Sequence, residues 1–210
     1  MVDPDPHASA RSEVLGRIRA AIGPDRPRVQ IPRDYDVRRE HGNVVELLAR
    51  RIADYRAVVR RVAAADLPDA IGTLLARRQV RIMLGPADLP EEWRAPDVEW
   101  HLDDPPLTVE QLDRADGVLT GCAVAIAETG TIVLDAGAAQ GRRALTLVPD
   151  YHLCVVRADQ VVGSVPEALA RLDPVRPLTF VSGPSATSDI ELDRVEGVHG
   201  PRTLEVLVAS

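Results

Sequence analysis

Three stretches of this sequence set charged or hydroxyl side chains and glycine beside apolar runs, and each has its own chemistry. The first is Ala127-Glu128-Thr129-Gly130-Thr131. A carboxylate in a tight turn among small residues can serve as a base, a nucleophile or a hydrogen-bond acceptor, and glycine lets another backbone approach closely. The same spacing also suits a hairpin turn with an exposed glutamate. The second is Gln140-Gly141-Arg142-Arg143. Two guanidiniums after a glycine suit a bidentate grip on a carboxylate or phosphate, and equally suit surface arginines ahead of a helix. The third runs from Ser182 to Glu191, with Gly183, Ser185, Thr187, Ser188 and Asp189, and His199 and Arg202 follow shortly after. Its hydroxyls and backbone N–H groups can form an anion nest, and its alternative is a solvated connector.

Much other chemistry is excluded. All 25 basic residues among the 210 are arginine, so a Schiff-base lysine and a P-loop lysine are impossible. Residues 1–61 hold 13 arginines against 9 acidic residues, and the remainder holds 12 against 23, a weakly basic arm on an acidic body. With so few aromatic residues there is no stacking platform for single strands, and nucleic acid is not expected as a ligand. The five histidines show no metal-ligand spacing. Cys122 and Cys154 lie in apolar runs as buried structural thiols, and His152 reads as a strand-edge or satisfied core histidine. We therefore expect no metal and no cofactor in this chain. GxGxxG and GxSxG are both absent. No apolar run approaches the roughly 20 residues of a membrane span, and the acidic, proline-rich start is no secretory signal, so the expected compartment is the cytoplasm.

These residues need elements to hold them. Residues 1–9 read as a disordered tail, Arg11 to Ile22 as a short amphipathic helix, and 23–36 as a loop. A second helix is expected from about Asn43 to Ala65. From residue 67 the pattern alternates. Helices are expected at 67–77, 109–114 and 165–172, the last opened by Ser164. Strands are expected at 79–84, 98–102, 117–127, 131–134, 152–156, 178–181 and 204–208. Short apolar strands alternating with helices predict an α/β protein with a mainly parallel sheet flanked by helices. In such a sheet ligands sit at the carboxyl ends of the strands, so Glu128 and the loops 182–191 and 197–202 are expected to converge at one mouth.

Four motifs taken in order are specific. Ala125-Ile126-Ala127-Glu128-Thr129-Gly130-Thr131, Leu147-Val148-Pro149-Asp150-Tyr151-His152, Ser182 through Glu191, and Gly197-Val198-His199-Gly200-Pro201-Arg202 together resemble the LUD domain family. The resemblance covers residues 42–210 and leaves 1–41 as an N-terminal arm with one short helix and a linker. It implies a fold like that of sugar-phosphate isomerases, CoA transferases and formyltetrahydrofolate cyclo-ligase. It also implies a supporting role in oxidising L-lactate to pyruvate beside iron–sulfur partner subunits. This chain lacks the cysteines for clusters, so any such centre belongs to those partners. The expected site comprises Glu128 as the reactive group, with Thr129, Gly130, Thr131, Arg142, Arg143, Gly183, Ser185, Thr187, Ser188, Asp189, His199 and Arg202 holding a small anionic ligand. By analogy of fold alone, Glu128 is also the candidate nucleophile or base of a free-standing transferase or isomerase acting on an acyl-CoA or sugar phosphate.

Overall fold

A computed structural model describes residues 6–23, 30–184, 186–187, 195–196 and 200–210. Ser185, Ser188, Asp189 and His199 lie outside the described residues. The chain divides into two compact units, Met1–Tyr35 and Asp36–Ser210. The first contains α1 (Pro6–Ile22), which begins earlier than Arg11, so residues 6–9, expected as disordered tail, are helical in backbone. Its Pro6 suits a first helical turn, where a missing N–H costs nothing. Val14, Ile18 and Ile22 recur along one side of α1 and are about half exposed.

The second unit opens with α2 (Val44–Asp54), capped by Asn43, whose side chain accepts the Glu46 N–H at 3.1 Å. Here the sequence expectation fails. The helix ends at Asp54, and Val58–Val62 form a strand, β1, in place of the last helical turns. Arg56 takes a left-handed φ of 67°, which breaks the helix, and β1 pairs in parallel with the last strand of the chain. The valines at 58, 59 and 62 fit either period, and pairing to a neighbouring strand decides for extension.

The remaining elements follow the alternating pattern: α3 (Leu67–Arg77), β2 (Ile82–Gly85), β3 (Glu99–Leu102), α4 (Val109–Arg114) and β4 (Gly117–Thr120). Then come β5 (Val124–Ile126), β6 (Thr131–Leu134), β7 (Tyr151–Arg157), β8 (Val161–Val162), α5 (Val165–Arg171) and β9 (Thr179–Val181). Two-residue β10 (Ala186–Thr187) and β11 (Val195–Glu196) pair antiparallel, and β12 (Thr203–Ala209) closes the chain. Six strands form one wholly parallel sheet in the order β1-β12-β7-β4-β2-β3. The run 117–127 is not one strand. It breaks after Thr120, and β5 joins a second, mixed sheet ordered β8-β5-β6-β9, in which β6 runs antiparallel to both its neighbours.

Strict alternation along β7 and β12 divides their side chains between the two faces of the parallel sheet. Leu153, Val155, Leu207 and Ala209 pack with Ile71, Leu74 and Leu75 of α3. Cys154, Val156, Leu204, Val206 and Val208 pack with Ala125 and Ile132 of the mixed sheet and with Leu48 and Ile52 of α2. The outer face of the mixed sheet is covered by α5 through Ala168. Each fully buried leucine or isoleucine here contributes about 1.5–3 kcal/mol. The result is a layered α/β domain whose second sheet lies over β7 and β12.

Candidate functional site

A pocket of about 320 Å³ opens where that cover stops short. Its floor is His152 and Leu204, each the second residue of its strand, so it lies at the amino ends of β7 and β12. One wall is the single helical turn Arg143–Thr146 with Leu147, and the other is β9 continuing through Ser182, Gly183 and Pro184. Gly200 and Pro201 close the rim. This corrects the expectation of a mouth at the carboxyl ends of the parallel strands. The loop after β9 leaves the mixed sheet, and residues 200–202 lead into β12 rather than out of a strand. The two segments therefore meet where β12 begins.

The polar lining of this pocket differs in kind from residue to residue. His152 is buried, and its Nε2 lies 2.8 Å from Oγ1 of buried Thr120, which orients the ring. Thr146, Thr179 and Ser182 bring hydroxyls, and Leu147, Phe180 and Leu204 bring apolar surface. Arg143 is exposed at the mouth, and among the described residues its guanidinium has no carboxylate partner. Its neighbour Arg142 is committed elsewhere. It donates to Asp103 at 2.7 and 3.1 Å and to the Leu107 carbonyl at 2.6 Å, and the Asp103 hydrogen bond raises its pKa further. Two adjacent arginines thus divide the work, one tying the loop after β3 and one facing the pocket.

Arg202 is likewise engaged. Its Nε donates to Asp150 at 2.6 Å, and this hydrogen bond holds the Asp150 carboxyl below its ordinary range. Beneath the pocket floor, on the other face of the sheet, Glu205 accepts from Tyr151 and Arg78, each at 2.8 Å. Burial, then the Glu205 hydrogen bond, pushes the Tyr151 hydroxyl well above its ordinary pKa, so the group is a fixed tie between the amino ends of β7 and β12.

Glu128 does not line the pocket. It sits in the β5–β6 turn, where its Oε1 accepts the Val165 N–H of α5 at 3.0 Å. Its Oε2 lies 3.5 Å from His41 Nε2 and 3.7 Å from the Arg39 guanidinium. Gly130 in the same turn has φ +63°, and a Cβ there would come within 2.7 Å of the Arg51 backbone in α2. The turn is therefore pressed between α2 and the start of α5. Thr129 and Thr131 share a hydroxyl hydrogen bond of 2.8 Å, and Thr131 meets Ser182 at 2.8 Å, which links the turn to the pocket wall. Gly183, with φ +83°, packs against Tyr55, and Thr187 is seen as a backbone position in β10.

Of the expected residues, then, Arg143 and Gly183 line the pocket, Thr131 touches its wall, and Glu128 and Arg142 face other partners. Thr146, Thr179 and Phe180 lie outside the four motifs, and His152, though it ends the second one, was read as a strand-edge or core histidine and not as a site residue. Alternation gives a signal for His152, a polar side chain on the same strand face as Cys154 and Val156. Among the described residues no group of three or more His, Cys, Asp or Glu is placed to hold a metal ion. Cys122 and Cys154 are buried free thiols, and hydrogen bonding with Cys154, then burial, pushes the Cys122 thiol well above its ordinary pKa.

The LUD domain family model matches residues 45–209. The chain belongs to the LUD domain family. It is 49% identical over 205 residues to a protein of Deinococcus radiodurans named lactate utilization protein C, an alignment covering 96% of each chain. A protein of the same name from Halalkalibacterium halodurans is 27% identical over 208 residues, with 90% of each chain covered. The crystal structure of a DUF162 family protein from Deinococcus radiodurans superposes with a TM-score of 0.68 and 45% identity, covering 80% of this chain and 96% of that one. The LUD domain is thus seen here as a parallel sheet with a second sheet laid across it, and its four sequence motifs are the segments around the β5–β6 turn, the start of β7, the exit of β9 and the approach to β12.

Proposed function

We propose that this protein is an accessory subunit of a lactate-utilization system. It supports oxidation of L-lactate to pyruvate together with iron–sulfur partner subunits and holds a small anionic ligand in the pocket at the amino ends of β7 and β12. Its relatives' shared name supports the lactate role. A thiolate-held cluster takes four cysteines, and this chain has two, so electron transfer through such a cluster falls to other chains. The observation that carries the ligand reading is Arg143, a guanidinium at the pocket mouth without a carboxylate partner among the described residues. A planar fork of donors above a buried histidine and three hydroxyls suits a carboxylate. Hydrogen bonds to a charged group contribute about 1.5–3 kcal/mol, so an incoming carboxylate gains most of its affinity from this one residue.

The test has two parts. Affinity purification from lactate-grown cells should bring down iron-containing partner proteins in fixed ratio. Calorimetric titration of the purified chain with pyruvate and with L-lactate should show saturable binding that Arg143→Ala weakens and Arg142→Ala leaves nearly unchanged. Equal weakening by both variants, or turnover of an acyl-CoA by the isolated chain, would replace this reading.

A further inference from the structure

The pocket wall formed by β9 is the edge of a sheet. β9 is the last strand of the order β8-β5-β6-β9, so one side of its backbone pairs with β6 and the other meets no strand among the described residues. The register tells which peptide groups face the open side. The Val133 carbonyl accepts the Ala123 N–H at 2.9 Å, so Val133 turns its peptide groups toward β5. Alternate residues of an antiparallel strand turn theirs to opposite sides, so Ile132 and Leu134 are the ones that bond β9, through Val181 and Thr179. Phe180, opposite Val133, is left with its N–H and C=O pointing away from β6.

Unpaired strand edges recruit other chains, and proteins ordinarily cover or charge them. This edge instead runs along the cavity, because Thr179 through Pro184 all line the pocket. Pro177 and Pro184 bracket it, and proline has no N–H to donate, so pairing is confined to the residues between them. The same cavity holds the Arg143 guanidinium at its mouth and apolar surface from exposed Leu147 and buried Leu204. Its volume is about 320 Å³, and pockets of about 300–1,000 Å³ enclose ligands much larger than a three-carbon acid. Pyruvate would engage the guanidinium and leave the strand edge and the apolar wall unused.

We propose that the pocket captures the C-terminal end of an extended polypeptide from a partner protein, which adds to β9 as a short strand. The terminal carboxylate pairs with Arg143, the Phe180 N–H and C=O bond the peptide backbone, and an apolar last side chain rests on Leu147 and Leu204. An edge of three residues spans about 10 Å, enough to pair two or three residues of peptide. The inference rests on the carboxylate reading of Arg143 and names the bearer of that carboxylate. A peptide end supplies the anion, the amides and the apolar group in one ligand, and it ties the pocket to assembly with partner subunits.

Calorimetric titration of the full chain tests this with four probes: the N-acetylated tripeptide of alanine, valine and leucine, its C-terminal amide, N-acetyl-leucine and pyruvate. The tripeptide acid should bind about tenfold tighter than pyruvate or N-acetyl-leucine, and amidation should weaken it about tenfold. Arg143→Ala should bring the acid down to the level of the amide. N-methylation should cost about fivefold at one of the valine and leucine amides and less than about twofold at the other, because only alternate amides face a pairing edge. Saturation with the acid should slow exchange of the Phe180 amide, read by NMR, about fivefold. A tripeptide no tighter than pyruvate, with pyruvate binding still dependent on Arg143, overturns the peptide and leaves the carboxylate reading standing. N-acetyl-leucine as tight as the tripeptide, equal losses at both methylated amides, or an unchanged Phe180 amide overturns the added strand. No binding of any probe defeats the carboxylate reading and this one together.

Discussion

The pocket at the amino ends of β7 and β12 and the Glu128 turn lie on either side of one hydrogen bond, Thr131 to Ser182, yet they are built oppositely. At the turn the carboxylate is four-fifths buried and is met by a backbone N–H, an imidazole and a guanidinium. Around the pocket a guanidinium, a histidine and three hydroxyls line open space. The turn spends its carboxylate on the fold. In the pocket Ser182, Thr146 and His152 are hydrogen-bonded to Thr131, the Arg143 carbonyl and Thr120, yet the Arg143 guanidinium is left without a carboxylate partner among the described residues. The difference teaches that a chemically suggestive residue type says little until its partners are known. Arg142 and Arg143 make the same point one residue apart.

The sharpest way to break this contrast is to remove the packing that only the turn needs. Gly130→Val puts a branched side chain at a left-handed φ and against the Arg51 backbone. Strain and overpacking together should lower stability by about 2–4 kcal/mol in chemical denaturation. A fully stable Gly130→Val would mean that the turn is not clamped. Next in size is Arg143→Ala, which should weaken pyruvate binding about ten- to a hundredfold in calorimetry without moving the melting temperature. Glu128→Gln keeps the shape and can still accept from Val165, so we expect a loss of about 0.5–1 kcal/mol in stability and ligand affinity within twofold of wild type. Loss of lactate-dependent growth in a Glu128→Gln strain with an unchanged melting temperature would reverse the comparison and make the carboxylate the reactive group.

Smaller effects sharpen the picture further. Deleting residues 1–35 removes the first compact unit and should leave unfolding cooperative, whereas deletion through residue 42 also removes the contacts of Arg38, Arg39 and His41 with Glu167 and Glu128 and should expose α5 to faster hydrogen exchange. The smallest effect concerns Asp150, whose carboxyl is held below its ordinary range by Arg202. A depressed folded-state pKa adds stability above the unfolded value and loses it as pH falls through the folded one. Asp150→Asn should therefore reduce stability slightly at neutral pH and make no difference in strongly acid solution, as read from melting curves between pH 7 and pH 2.

Much of the fold was legible because local signals and tertiary demands agree. Pro68 opens α3 and Glu167 reaches back to Ser164 at the start of α5, each where the residue types suggested, and the Thr108 hydroxyl accepts the Gln111 N–H at the start of α4. Hydrophobic strands buried on both faces announced a parallel sheet. The site was less legible. Glu128 and the arginines were conspicuous by type and spacing, but His152 looked like one more residue of a core strand. Its place on the pocket floor depends on where the second sheet ends.

Composition and pattern by themselves determined that this chain is an α/β domain with arginine as its sole cationic side chain and too few cysteines for a cluster. Its four ordered motifs determined the LUD family. These follow from short-range physics, since periodicity, caps and turn residues act within a few positions of one another. Tertiary structure decided that Val58–Val62 is a strand and not the end of a helix, because β12 lies beside it. It also decided that 117–127 is shared between two sheets, and that of two adjacent arginines one ties a loop and the other faces open space. Those outcomes turn on partners far along the chain, Asp103 for Arg142 and His41 for Glu128, and a partner's distance in space is not written in either residue's neighbourhood.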